Sequence, residues 1–189
     1  MVAQPAVTPG PARVDRTTRS TDGAVAAAVD YATLLARLFP LDRARAREVV
    51  ADVASAAHRP ALLAAVDAEL VPLQSQAGEL PGSMVYRQSV LATRVLSVTS
   101  ADDPADVARA RVAVWALFTV GQSGERAGER ANPLATFTTL TLDLVFERGA
   151  WRLDGTTQRA GPTPLLDGRP QLADEFDRAL DGFTDWRPA

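Results

Sequence analysis

Near Ser83 the apolar residues change from a helical spacing to a spacing of two, which divides the chain into a helical first half and a stranded second half. Upstream, Val25, Ala28, Val29, Ala32, Leu35 and Phe39 predict a helix capped by Thr21 or Asp22 and ended near Pro40. Asp42 is placed to cap a second helix, with Ala46, Val49, Val50, Val53 and Ala57 on its apolar face. Pro60 suits the first turn of a third, because its missing amide is one that a helix start leaves unbonded anyway; Leu62, Leu63, Val66 and Leu70 form the stripe.

Downstream, the segments near Val85 to Thr99 and Val107 to Gln122 are rich in β-branched and aromatic residues. The second is apolar on both faces around Trp115, as a central strand is. From Phe137 to Glu147, Leu140, Leu142, Leu144 and Phe146 alternate with Thr139, Thr141 and Asp143, so one face is core and the other meets solvent or a cavity. Arg148-Gly149 makes a tight turn into Trp151-Arg152-Leu153-Asp154. Three helices followed by an antiparallel meander of four strands predict an α+β domain over residues 21–164, with the helices on a curved four-stranded sheet. Such a sheet often leaves a conical cavity.

Two segments frame that domain. Residues 1–20 hold Pro5, Pro9, Gly10 and Pro11 among small and polar residues, the composition of a flexible arm or linker. Residues 165–189 carry Leu172, Phe176, Leu180, Phe183 and Trp186 among acidic residues, an amphipathic C-terminal helix whose stripe must dock on its own domain or on another protein.

Composition limits the chemistry. Its 189 residues suit one domain plus tails; they contain no cysteine, one histidine and no lysine, all twenty basic residues being arginine. Disulfides, thiolate zinc sites, Schiff-base chemistry and a P-loop lysine are excluded, and no cofactor or metal site is expected. A net charge of −3 argues against a nucleic-acid partner. No window reaches the ~18 apolar residues that span a bilayer.

Single candidates remain, each beside a plainer reading. Asp143 could face a pocket and act as an acid or base, or it pairs with Arg111 or Arg152 across strands. Tyr31, Tyr86 and Trp115 could line a cavity, or they are core and rim. His58, between two helices, reads as a helix-end residue. Arg43, Arg45 and Arg47 form a basic run on a solvated helix face. The polar loop from Gly121 to Pro133 repeats Gly-Glu-Arg-Ala; it is a hairpin tip or a partner-contact loop through Glu125, Arg126, Glu129 and Arg130.

The order of helices and strands, the Asp22-Gly23-Ala24-Val25-Ala26-Ala27-Ala28 helix start, the Gly149-Ala150-Trp151-Arg152-Leu153 hairpin and the following Gly161-Pro162-Thr163-Pro164 resemble actinobacterial envelope proteins. That group has a nuclear-transport-factor-like (cystatin-like) soluble domain, often encoded near conjugation-type machinery. The resemblance implies a noncatalytic assembly domain in a type IV secretion-like complex, at the outer face of the cytoplasmic membrane. Its partners would be proteins, self-association included, with membrane contact only through an N-terminal anchor or a partner. If Met1 is the true start, the location implied is cytoplasmic. The alternative on the same fold is a small-molecule binder or an isomerase- or cyclase-like enzyme, for which only Asp143, Tyr31 and Tyr86 offer side chains.

Overall fold

The structure, a computed structural model, describes residues 16–38, 43–70, 83–100, 107–123, 134–163 and 170–185. The loop candidates Glu125, Arg126, Glu129 and Arg130, together with Asp42, Trp186 and most of the N-terminal arm, lie outside the described residues. The elements are α1 (Thr21–Ala36), α2 (Arg43–Val53), α3 (Arg59–Ala65) running into a π-helical turn (Val66–Leu70), β1 (Ser83–Ser100), β2 (Val107–Ser123), β3 (Leu134–Glu147), β4 (Ala150–Ala160), α4 (Pro170–Ala179) and β5 (Thr184–Asp185). Every strand pair is antiparallel, in the spatial order β4-β3-β2-β1-β5. This is the α+β arrangement expected from the change of period: helices on one curved open sheet of four long strands.

Register sets the two faces. Val112 and Val114 lie opposite Leu142 and Leu140, while Leu144 and Phe146 lie opposite Leu153 and Trp151. These side chains share one face and pack against Ala24, Ala27, Ala28, Tyr31 and Ala32 of α1. The small residues let the helix backbone lie close to the sheet, and the apolar area removed from water there is the main driving force for folding. A second cluster, Leu38, Ala46, Val50 and Val66, joins α2 and α3 beside it.

The last long strand runs to Ala160 and stays paired with β3 as far as Thr138. Two local expectations are corrected. The cap of α1 is Ser20, whose extended backbone (φ −148°, ψ 169°) lets its Oγ accept the Gly23 N–H at 3.1 Å. The C-terminal helix stops at Ala179. Beyond it the Phe183 N–H bonds the Leu180 carbonyl, Gly182 takes a left-handed φ of 75°, and the chain returns to the sheet as β5, beside Ala92 and Thr93.

The turn of the final hairpin places both Arg148 (φ 54°) and Gly149 (φ 76°) in the left-handed region, as a two-residue hairpin with primed geometry requires. Gly23 is needed for a different reason, close approach. A Cβ there would lie 2.0 Å from the Thr18 carbonyl oxygen and 3.2 Å from Trp151 Nε1. Gly23→Ala is therefore expected to destabilise the fold by about 1–3 kcal/mol, although alanine is the better helix former by about 1 kcal/mol. The urea midpoint and Tm measure it, and a gain in either would contradict the close packing.

Candidate functional site

The side chains nominated for catalysis do not converge. Tyr31 is fully buried, and its O–H donates to the Trp151 carbonyl at 2.5 Å. Burial pushes its pKa up, with nearby charges acting in both directions, so the phenol stays neutral at physiological pH. Tyr86 lies opposite Val120 at the far end of the sheet, half-buried, its ring 6.2 Å from that of Phe118; burial raises its pKa as well. Asp143 is on the other face, 3.2 Å from Arg111 Nε and 43% exposed. The interior over β2, β3 and β4 is occupied by Val112, Val114, Leu142, Leu144, Trp151 and Leu153, all essentially inaccessible to water.

The basic run on α2 is met by acids. Arg43 and Arg47 reach the two oxygens of Asp67 at 2.8 and 2.5 Å, and Arg45 pairs with Glu48 at 2.8 Å. The hydrogen bond from Arg43 holds the Asp67 carboxyl below its ordinary range.

The most organised polar cluster was not legible in the chain. Between Leu153 and Gly155 the pairing with β3 skips one residue, and the extra residue is Asp154. A bulge of this kind re-aims a side chain, and here Leu153 and Asp154 are consecutive yet both buried. Asp154 Oδ1 accepts the Ser55 Oγ–H at 2.5 Å and faces His58 Nδ1 at 2.9 Å, while Oδ2 accepts from Arg109 at 3.1 Å. The carboxylate is an acceptor only, so Nδ1 of His58 carries the proton in this contact.

Serine, histidine and aspartate thus meet, but not in the order of a nucleophile. Ser55 gives its proton to the carboxylate, and its Oγ accepts the His58 backbone N–H at 3.1 Å. A serine nucleophile needs the imidazole as its base and the carboxylate behind the imidazole. Here both groups converge on one carboxylate oxygen, the geometry of a fastening. The surrounding bonds agree. The Ser55 N–H bonds the Leu153 carbonyl at 2.8 Å, the Ala56 N–H bonds Glu147 Oε1 at 2.7 Å, and Arg152 bonds the Asp52 carbonyl. The corner between α2 and α3 is thereby tied along the free edge of β4, which otherwise would offer unpaired backbone groups.

The second face of the sheet carries an aromatic platform. Trp115 stacks on Phe137 with ring centres 5.7 Å apart and donates its Nε1–H to the Pro162 carbonyl at 3.1 Å. Phe176 of α4 meets Trp115 edge-on at 5.7 Å. Arg94 lies over the Phe183 ring at 5.4 Å and donates to the Asp181 carbonyl at 2.8 Å. Phe176 and Phe183, nominated as partner contacts, are engaged within the chain, with Leu180 half-buried between them in sequence. The side chain of Leu172 lies outside those described.

No family model matches this chain. No curated protein matches it either. Among solved structures it is similar to the intermembrane space region of the chloroplast protein ARC6, at 15% identity and a TM-score of 0.33, over 61% of this chain and 78% of that one. Among the described residues, no helix is long and apolar enough to cross a membrane, and no group of three or more metal-ligating side chains is placed to hold an ion.

Two measurements check this geometry. Tyr31→Phe keeps the ring and removes the donor to the Trp151 carbonyl; it is expected to cost about 1–3 kcal/mol in urea unfolding. For Asp154, burial raises the pKa, but the hydrogen bonds from Ser55 and His58 and the charges of His58 and Arg109 outweigh it, and the net shift is downward. A depressed carboxylate stabilises the fold above its unfolded pKa of about 3.9, and that contribution is lost as pH falls through the lower folded value. Wild type should exceed Asp154→Asn in urea midpoint at neutral pH, and the gap should close as pH falls below about 4. A gap that stays constant through that range would contradict the fastening role.

Proposed function

We propose that this chain is a noncatalytic protein-interaction domain of a cell-envelope assembly of the conjugation or type IV secretion-like kind. The observation that supports this reading is the filled interior. A binding or isomerase-like site of this fold would need a cavity of about 300 Å³ or more with convergent polar groups, whereas among the described residues Trp151 and the leucines and valines around it fill the helix-facing side of the sheet over β2, β3 and β4. In that core the Tyr31 hydroxyl is bonded to backbone, Tyr86 lies at the far end of the same face, and Asp143 is across the sheet in an ion pair.

What the chain exposes is contact surface. At the outer end of β1, Leu96 and Val98 are 40% and 45% exposed, on a long strand that β5 covers only at Ala92 and Thr93. Exposed apolar groups beside a strand edge that is largely unpaired among the described residues favour pairing with another chain. The envelope setting comes from the sequence resemblance.

The test is site-specific photo-crosslinking in the native cell, with the reactive residue placed at Leu96 or Val98 of the full chain and, as a control, at Arg148 in the hairpin turn. Discrete adducts with an envelope assembly protein from the β1 positions, and none from the turn, are expected. Absence of adducts at both β1 positions, or recovery of the chain away from the envelope, would overturn the proposal.

A further inference from the structure

The segment from α4 to β5 lies across the sheet face opposite the core as a strap held at few points. Phe176 touches Trp115, Phe183 lies under Arg94, and a two-residue ladder joins β5 to β1. Asp174, Glu175, Asp177, Arg178 and Asp181 are exposed. The platform beneath is built without the strap. Trp115 is fixed by Phe137 and by the Pro162 carbonyl, and Gly161 permits the closeness, since a Cβ there would lie 3.1 Å from the indole and 2.9 Å from the Thr138 backbone. The pairing register puts Arg87, Arg94, Arg109 and Arg111 on the same face as Trp115; Asp143 shares that face and pairs with Arg111, and Arg109 reaches Asp154, which leaves Arg87 and Arg94 as the basic groups nearest the seat that these two carboxylates do not meet. An acidic helix with an aromatic anchor therefore rests on a face that holds an aromatic seat and an excess of arginine over carboxylate, so the two are complementary in overall charge.

We propose that this face is the docking site for an acidic amphipathic helix of a different protein, anchored by an aromatic side chain on Trp115, and that the strap is a built-in competitor for the same seat. The occupant present in the structure defines the chemistry the seat accepts. A second copy of this chain is the weaker occupant, because its strap makes the same contacts without the ~mM effective concentration that the tether supplies. A different helix displaces the strap by covering the exposed Arg87 as well, on the same face. The inference rests on the interaction-domain reading above and assigns it a surface and a partner chemistry.

The experiment uses the full chain and a fluorescein-labelled synthetic peptide spanning residues 168–187, followed by fluorescence anisotropy. Phe176→Ala loosens the tethered strap and leaves the platform intact, so this variant should bind the peptide at least tenfold more tightly than the wild-type chain does. A peptide carrying Phe176→Ala should lose that binding, and adding Arg94→Ala to the Phe176→Ala chain should weaken it several-fold. Phe183→Ala is a second opening variant with the same expected direction, usable if Phe176→Ala does not fold. Equal binding to wild type and both variants, or none to any, would overturn the proposal. Sedimentation of the wild-type chain as a concentration-dependent dimer that Phe176→Ala abolishes would assign the seat to a second copy and overturn the choice of a different protein. Crosslinking from Leu96 and Val98 reports on the interaction role independently, so the failure of one proposal is distinguishable from failure of the other.

Discussion

Trp151 is the point through which the two layers are joined. Its carbonyl accepts from Tyr31 on α1, its backbone N–H donates to the Arg16 carbonyl, and its indole N–H donates to the Thr18 carbonyl. Its ring meets Phe146 edge-on at 5.5 Å, and the Arg19 guanidinium lies over the same Phe146 ring. One buried residue, through its backbone and its ring, thus sets the seat of α1, the path of the segment before it and the pairing of the last hairpin. The polar ends of a large apolar body must be satisfied when it is buried, and here each partner comes from a segment that needed placing. Gly23 exists in this context: the chain entering α1 passes so close to the helix that no side chain fits.

The alternation in β3 and the apolar spacing of α1 were readable because each is a local repeat, and local repeats report which face is buried. The turn at Arg148-Gly149 was readable because few residues tolerate its backbone. Ser20 as the cap was missed by one position, since Ser20, Thr21 and Asp22 all carry a suitable oxygen and only the backbone angle chooses among them. The Asp154 cluster could not be found this way. Ser55 and His58 are neighbours on one turn, but their carboxylate lies 96 residues from His58 and is brought to them by a bulge, a one-residue irregularity that leaves no mark in hydrophobic pattern. Asp143 shows the reverse: its alternation with threonines correctly placed it on the face away from the core, and its pairing with Arg111 follows from register alone.

Polar groups in this chain serve mainly to fasten. Asp154 ties α2 and α3 to β4, Asp67 ties α2 to the π-helical turn, and Tyr31 ties α1 to the hairpin. In each case the hydrogen bonds join elements distant in sequence, which restricts how the layers can slide over one another. The same use of arginine and carboxylate on the opposite face leaves a surface whose charge is organised and whose aromatic seat is already in place.

The connections made by Trp151 also order events during synthesis. Residues 16, 18 and 31 are made long before residue 151, the separation from Tyr31 being 120 residues. Contacts that span such distances form late, because the loop must be closed before the contact can stabilise it. As the chain emerges from the ribosome, α1 must therefore hold its alanine-rich stripe without its final seat until the last hairpin has been translated, and it is in that interval that the nascent chain is open to association with other surfaces.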